Sequence, residues 1–297
     1  MTKRKKGLTM VCLGASMWGG SGVAGQYLLQ DCGFSTGWLV VSRMLIAGVI
    51  LLSLDFCFYR ENIFKVWKDS IDAKDMVIFA ILGMLSVQYT YFACIKYGNA
   101  AAATVLQYLM PVIIVAYTAI ATRKLPHALE LLCVAMAVGG TFLLVTHGSL
   151  ERMAISLEAL IWGLVSAVAA AVYTMKPKRL IRKWRATLII GWGMLLGGLC
   201  LVPVCPPWLF EGGWDVLSGL IYAYVIVFGT VLAFGCYLGS LKYIQPAEAG
   251  ILGSVEPLSA IVLSIVFLGA SFGLMDILGT SLIIGTVFLL ARRKVSN

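Results

Sequence analysis

Two stretches of this chain repeat each other, and the repeat decides how it folds. Residues 83–111 read GMLSVQYTYFACIKYGNAAAATVLQYLMP, and residues 229–257 read GTVLAFGCYLGSLKYIQPAEAGILGSVEP. The Lys-Tyr pair at 96–97 returns at 242–243, and Pro111 returns as Pro257, all at one offset of 146 positions. Apolar matches arise easily by chance, but charged and proline matches at a constant offset do not. The sequence therefore predicts two related halves, residues 1–147 and 156–292, and a short basic tail at 293–297.

Both stretches lie within apolar segments long enough to cross a membrane. The chain has 297 residues, of which 60% are hydrophobic and 12% charged, whereas soluble domains are about half apolar and a quarter charged. Runs of about 20 apolar residues span a bilayer core. Ten such spans can be marked, at 7–29, 36–58, 75–96, 99–121, 127–147, 157–175, 186–205, 216–241, 247–269 and 274–291. We therefore predict an all-α membrane protein.

The basic residues are distributed very unevenly between the two sides of these spans. Of the 23 Lys and Arg residues, twenty fall at the two termini and in alternate loops, Lys96 and Arg152 fall on the other side, and Arg43 lies inside a span. Positive loops stay on the cytoplasmic side, so both termini are predicted to be cytoplasmic in the plasma membrane. Short basic clusters between apolar spans also argue against nucleic acid as a partner.

Each half contains five spans, and this odd number has a topological consequence. The second half must be inserted upside down relative to the first. Inverted-topology repeats are typical of secondary transporters, which bind their substrate near the bilayer midplane. The sequence therefore predicts ten transmembrane helices, arranged as two inverted-topology five-helix repeats around a central cavity.

Several segments resemble the EamA-type domains of the drug/metabolite transporter superfamily. They are GASMWGGSGVAGQYLL, VVSRMLIAGVILL, YFACIKYGNAAAATVLQYLMP and YLGSLKYIQPAEAGILGSVEPLSAIV. The resemblance implies a substrate cavity lined by helices 1, 3, 4, 6, 8 and 9, and export of small metabolites such as amino acids. Family members often carry Leu-Gly-Glu just after helices 4 and 9. Here Lys124 and Ala270 occupy those places, so gating that used such a glutamate would be arranged otherwise.

Glu256 is the residue most expensive to place in a membrane. It lies about nine residues into the ninth span, which is roughly 14 Å deep at 1.5 Å per residue. A charged side chain at that depth costs about 2.5 to 3.5 kcal/mol. It should therefore face the bundle interior with a partner or a proton, which makes Glu256 the candidate for proton coupling and substrate binding. The alternative is a protonated side chain that only joins two helices; the equivalent residue in the first half is Met110.

Pro111 and Pro257 occupy equivalent places in the two halves. A proline inside a helix removes one backbone hydrogen bond and frees the carbonyl four residues earlier, here those of Gln107 and Gly253. Polar backbone at membrane depth is tolerated only against protein or a wet cavity. The two kinks thus mark the expected binding and gating region, unless they serve packing alone.

The remaining candidates are one arginine and a set of aromatic and amide side chains. Arg43, about seven residues into the second span, is shallow enough to snorkel; bonding to a neighbouring helix, contact with substrate, and pairing with Glu256 are the other interpretations. Aromatic rings in the lining spans would stack on a planar or apolar substrate, although Tyr and Trp also favour membrane interfaces. These substrate-binding candidates are Trp18, Tyr89, Tyr91, Gln107, Tyr108, Tyr173 and Tyr237.

Other classes of protein find less support. The two histidines, His127 and His147, lie at opposite ends of one span, and the eight cysteines form no C-x-x-C pair. We therefore expect no metal site, no cofactor and no enzymatic activity; a bridge between Cys32 and Cys205 stays open. A channel, scramblase or membrane scaffold is the alternative, because a pore also explains buried polar residues. The sequence favours a secondary transporter that exports small metabolites by alternating access, with proton coupling as a hypothesis.

Overall fold

All regular structure in this computed structural model is helical over the part of the chain that it describes. These residues are 2–123, 125, 127–147, 154–244, 249 and 252–295, with side chains as far as 290. Lys124 and Arg152 of the charge pattern, and residues 247–248 at the start of the predicted ninth span, lie outside them. The basic tail is described only in its backbone, to residue 295.

Ten main helices follow the predicted spans. They are α1 (Lys3–Gln30), α2 (Thr36–Tyr59), α3 (Ser70–Tyr97), α4 (Ala100–Thr122, in two segments), α5 (Ala128–Thr146), α6 (Leu157–Met175), α7 (Ala186–Leu201), α8 (Val216–Ser240), α9 (Val255–Leu268) and α10 (Leu274–Val295). A 3₁₀ turn, Ile63–Trp67, and a short helix, Lys178–Lys183, lie in two of the connections.

Two boundaries differ from the prediction for identifiable reasons. Helix α3 begins at Ser70 rather than at 75, because the Asp69 carboxylate caps it by accepting bonds from the N–H groups of Ile71 and Asp72. Helix α7 ends at Leu201 rather than at 205. Pro203 follows closely, and it has no N–H with which to continue the helical hydrogen bonds. Hydropathy alone reports neither effect.

The helices are apolar and long enough to identify a multi-pass membrane protein. Among the described residues, six helical segments are each long and apolar enough to cross a membrane, those of α2, α3, α4, α5, α6 and α8. Helices α7 and α9 and the first part of α10 are shorter apolar helices. The count of ten crossings stays a prediction.

The two halves of the chain interleave rather than sit side by side. Helix α2 packs on α7, and α5 packs on α10. Helix α1 packs on α8 and α9, while its counterpart α6 packs on α3 and α4. Exchanging the halves, so that α1 becomes α6 and α3 becomes α8, leaves the α2–α7 and α5–α10 pairings unchanged and turns the pairings of α1 into those of α6. The packing therefore has the pseudo-two-fold relation that the sequence repeat predicts.

Glycines bring these helices into direct backbone contact. A Cβ on Gly19 of α1 would lie 2.6 Å from the carbonyl oxygen of Glu256 and 2.8 Å from the amide nitrogen of Ala260. A Cβ on Gly48 of α2 would lie 2.7 Å from the amide nitrogen of Leu195 in α7. Small residues allow helices in membranes to approach this closely, and helix α1 is thereby held against α9 beside Glu256.

Irregular backbone also recurs at equivalent places. Helix α4 breaks at Tyr108 (φ −70°, ψ 1°), and the chain breaks before α9 at Ser254 (φ −65°, ψ −2°). In both halves the break comes three residues before the repeated proline. Helices α3 and α8 each contain a π-helical stretch, Phe79–Leu85 and Val227–Leu232. Such stretches are rare and frequent at functional sites, and nothing in the hydropathy pattern predicts them.

One end of the bundle, here called the aromatic end, contains the start of α2. Phe34 and Trp38 pack there against Phe210 and Trp214 in edge-to-face contacts, with ring centroids 4.7 to 6.2 Å apart, apart from the stacked pair Phe34–Trp214 at 5.7 Å. All eight cysteines are free, so the bridge between Cys32 and Cys205 is not present.

The other end, here called the basic end, holds a network of ion pairs between the halves. Asp55 near the end of α2 has a fully buried side chain that accepts hydrogen bonds from Arg185 Nε and Nη2 and from the Thr187 hydroxyl. Hydrogen bonding to Asp55 raises the pKa of Arg185 above its usual range. The bond that Arg185 donates to Glu61 lowers the pKa of that carboxyl. The sequence analysis did not single out Asp55, although a carboxylate inside an apolar span is a strong signal.

A second part of the basic end centres on Asp72. Its side chain is 1% exposed and contacts Arg179 Nη2 at 2.7 Å and Lys183 Nζ at 2.6 Å, and it accepts a hydrogen bond from Trp184 Nε1 at 2.9 Å. The network ties the end of α2 and the start of α3 to the segment between α6 and α7, which is the equivalent connection in the second half.

Candidate functional site: the cluster around Glu256

Glu256 is the second residue of α9, directly after the backbone break. The Tyr108 hydroxyl, at the break of α4, donates a 2.6 Å hydrogen bond to the carbonyl oxygen of Gly253 and lies 3.4 Å from Glu256 Oε2. Pro257 has no N–H to offer this carbonyl, so Tyr108 from the first half supplies the missing bond in the second. The two breaks are therefore in contact, with the carboxylate between them.

Three tyrosine side chains lie near this carboxylate, and a tryptophan packs on one of them. Trp18 of α1 packs against Tyr237 of α8, with ring centroids 5.2 Å apart. The hydroxyl of Tyr91 in α3 shares a 2.8 Å hydrogen bond with Thr104 Oγ1. Tyr91, Tyr108 and Tyr237 are each within electrostatic range of Glu256. Four helices thus contribute rings to one region at the centre of the bundle.

The residues around Glu256 lie deep in the bundle but are not completely buried. Glu256, Tyr91 and Tyr108 lie deep among the surrounding helices. Even so, each of them is only partly buried, as are Trp18 and Tyr237. We call this set of five residues the central cluster.

The structure places the other candidates around or apart from the central cluster. Tyr173 packs on Phe79, with centroids 5.6 Å apart, and lies within electrostatic range of Tyr237. Gln107 donates a 2.8 Å hydrogen bond to Ser166 Oγ in α6. Tyr89 packs instead on Trp162, with centroids 5.9 Å apart.

Arg43 contacts neighbouring helices, and its described hydrogen bonds do not include Glu256. Its side chain is buried, with Nε donating to Thr230 Oγ1 at 2.8 Å and Nη2 donating to the carbonyl oxygen of Gly229 at 3.1 Å. The guanidinium also lies 5.1 Å from the centre of the Phe92 ring. Bonding to a neighbouring helix is one of the interpretations that the sequence leaves open. The acceptor carbonyl lies in the π-helical stretch of α8, where the helical bonding pattern is altered.

Three hydroxyl residues near the site were not singled out from the sequence: Thr104, Ser166 and Thr230. Each bonds a predicted site residue, namely Tyr91, Gln107 and Arg43. The available signal was a lone hydroxyl within an otherwise apolar span, as Thr104 is after four alanines. Such residues hydrogen-bond across membrane helices, and here they orient the larger polar side chains.

No other group in the described residues competes with the central cluster as a ligand site. No group of three or more His, Cys, Asp or Glu side chains among them could hold a metal ion. A surface groove of about 580 Å³, lined by Phe56, Arg60 and Phe64, lies at the basic end. None of the residues predicted from the sequence to bind substrate lines this groove.

A multi-pass helical bundle with interleaved halves and a polar, accessible centre is the architecture of a membrane transporter. The chain belongs to the EamA-like transporter family, which matches residues 5–146 and again residues 157–292.

Two curated relatives and one solved structure are similar to this chain over most of its length. The chain is 42% identical over 294 residues to the uncharacterized inner membrane transporter YicL of Salmonella typhimurium, covering 98% of this chain and 97% of that protein. It is 26% identical to the uncharacterized transporter YetK of Bacillus subtilis over 85% of this chain and 77% of that one. A solved crystal structure aligns with a TM-score of 0.63 at 17% identity, over 98% of this chain and 99% of that chain, and so shares the fold.

Proposed function

We propose that this protein is a secondary transporter that exports small metabolites, amino acids or compounds related to them, across the cytoplasmic membrane by alternating access. In this proposal ten helices form two inverted repeats, residues 1–147 and 156–292, and both termini with the basic tail 293–297 face the cytoplasm. The name of the Salmonella relative supports the inner membrane as the location.

The contact between the two backbone breaks carries this proposal. Tyr108 at one break donates to the Gly253 carbonyl at the other, and Glu256 lies beside both. Discontinuous helices that meet near the midplane at a repeat interface are where secondary transporters bind their substrates. A rocking motion of one half against the other would open the central cluster first to one side and then to the other.

Substrate binding is assigned to the residues predicted from the sequence. Trp18, Tyr91, Tyr108, Tyr237 and Glu256 would contact the substrate, with Tyr173 beside them. Gln107 would act through its bond with Ser166, and Tyr89 would contact the substrate on its way to or from the aromatic end. Pro111 and Pro257 would set the breaks about which the helices bend.

Proton coupling is assigned to Glu256. It is the one carboxylate that the structure places in the central cluster, and its described contact is the Tyr108 hydroxyl at 3.4 Å. A carboxyl group that exchanges its proton on each cycle would link transport to the proton gradient. Intramembrane ionisable residues of this kind form the proton relays of transporters.

Counterflow into liposomes tests the transporter proposal. Purified protein is reconstituted, preloaded with unlabelled amino acids, amines or nucleosides, and supplied with each labelled compound at two internal and two external pH values. A transporter gives transient accumulation of one class of compound, abolished by an unlabelled competitor. Leakage of unrelated solutes without accumulation would instead indicate a channel or a scramblase, and no flux at all across the panel would indicate a scaffold.

The Glu256→Gln variant tests proton coupling in the same liposomes. Uptake driven by a pH gradient should be lost, because the amide cannot exchange a proton. Glu158→Gln, an exposed carboxylate in the first turn of α6, is the matched control and should behave as wild type. If Glu256→Gln keeps the wild-type rate and pH dependence, coupling through Glu256 is refuted.

A further inference from the structure

The central cluster contains one acidic side chain and no basic one. Glu256 contributes a carboxylate, and among the described residues no Lys, Arg or His side chain forms an ion pair with it. The buried cation Arg43 donates instead to Thr230 and to the Gly229 carbonyl. An ionised Glu256 is therefore a charge without an ion-pair partner among the described residues.

The backbone does not supply the missing positive charge. Helix N-termini can bind anions through free N–H groups, and the second segment of α4 starts close to the cluster. Its Pro111 has no N–H, and the N–H groups of Val112 and Ile113 both donate to the carbonyl oxygen of Leu109. The first turn of α9 already contains Glu256 itself, so an anionic group on a substrate would meet a carboxylate there.

The aromatic rings of the central cluster favour a positively charged substrate group. Tyr91, Tyr108 and Tyr237 lie within electrostatic range of the carboxylate, and Trp18 packs on Tyr237. The faces of aromatic rings attract cations within about 6 Å. A carboxylate with aromatic rings beside it is the arrangement that recognises an ammonium group attached to an apolar or aromatic body.

We infer that the substrate bound at the central cluster is a net-positive organic amine rather than a zwitterionic amino acid. The ammonium group would pair with Glu256, and the body would stack among Trp18, Tyr91 and Tyr237. This inference rests on the proposed transport function and narrows its substrate to compounds related to amino acids that lack the carboxylate.

A matched set of three compounds isolates the charge. Tyramine carries the ring and the ammonium group, tyrosine adds a carboxylate, and 4-hydroxyphenethyl alcohol replaces the ammonium by a neutral hydroxyl. Binding of each is measured by competition for labelled tyramine on the purified full-length protein, and transport by counterflow in liposomes. Tyramine should bind at least about 10-fold more tightly than the other two, since a charge-assisted hydrogen bond contributes about 10- to 100-fold in affinity.

Variants of Glu256 identify the origin of this preference. Glu256→Gln keeps the size and hydrogen-bonding capacity but removes the charge, so the preference for tyramine should fall by about 10-fold or more. Glu256→Asp keeps the charge and should retain the preference, and Glu158→Gln should leave it unchanged. Size-exclusion chromatography of each variant checks that it is folded.

The outcomes separate this inference from the proposed function. Binding and counterflow of tyrosine equal to or better than tyramine would overturn the inference and leave the transporter intact. Binding of tyramine that depends on Glu256, without counterflow of any compound, would support the inference and overturn the transport function. Failure of tyramine to bind wild-type protein at millimolar concentration would overturn the inference outright.

Discussion

Replacement of Tyr108 by phenylalanine tests the contact that joins the two backbone breaks. The substitution removes one hydroxyl and leaves the buried Gly253 carbonyl, which Pro257 cannot satisfy, without its 2.6 Å hydrogen bond. A buried acceptor left without a partner costs about 1 to 3 kcal/mol, more than the net value of an ordinary hydrogen bond. We therefore expect Tyr108→Phe to lower the free energy of unfolding by about 1 to 3 kcal/mol.

A double-mutant cycle with Pro257→Ala sharpens this prediction. Alanine restores an N–H at position 257, which can donate to the Gly253 carbonyl as in a regular helix. In that background Tyr108→Phe should cost only a few tenths of a kcal/mol, so the two changes should couple by at least about 0.5 kcal/mol.

The assay is unfolding in mixed detergent–SDS micelles, followed by circular dichroism. Tyr117→Phe is the matched control, because Tyr117 lies in the second segment of α4 with a largely exposed side chain, and it should change stability little. Additive effects of Tyr108→Phe and Pro257→Ala would refute the reasoning, since the hydroxyl and the missing N–H would then not share one acceptor.

Three further predictions concern packing and the basic end. Gly19→Ala should lower the free energy of unfolding by about 1 to 3 kcal/mol, because the added methyl group overpacks the contact between α1 and α9. Gly235→Ala is the control, since its Cβ would meet no atom within 4 Å. It should be neutral or slightly stabilising in the same SDS titration. Asp72→Asn should destabilise by about 1 to 3 kcal/mol, because the 1% exposed carboxylate compensates two cations; a wild-type SDS midpoint would contradict this. Hydrogen bonds from Lys183 and from the N–H groups that Asp69 caps lower the pKa of Asp69 to about 2, below the unfolded value of about 3.9. Its contribution to stability should therefore be complete above about pH 4 and lost as the pH falls toward 2, and Asp69→Asn should flatten melting temperature against pH in that window.

The sequence analysis located most helices because membrane depth imposes long apolar runs. The predicted span 157–175 coincides with Leu157–Met175, and 127–147 differs from Ala128–Thr146 by one residue at each end. The two backbone breaks were also predictable, since proline acts on its own helix whatever surrounds it. Both features are set by local sequence, so they could be predicted without knowing how the helices pack.

The contacts between distant residues were not predictable in the same way. Arg43 had several interpretations, and only the position of α8 shows that it bonds Thr230 and the Gly229 carbonyl. Asp55 pairs with Arg185 across 130 positions. The residues adjacent to Asp55 or to Arg185 in the sequence do not indicate this pairing, because it depends on how the helices pack.

The π-helical stretches widen equivalent parts of two helices. A π turn contains one more residue than an α turn. Phe79–Leu85 and Val227–Leu232 overlap when the halves are aligned on their repeated prolines, so the two halves share this local irregularity. Met110 and Glu256 also occupy equivalent positions, and the shared scaffold therefore carries the charge in one half only.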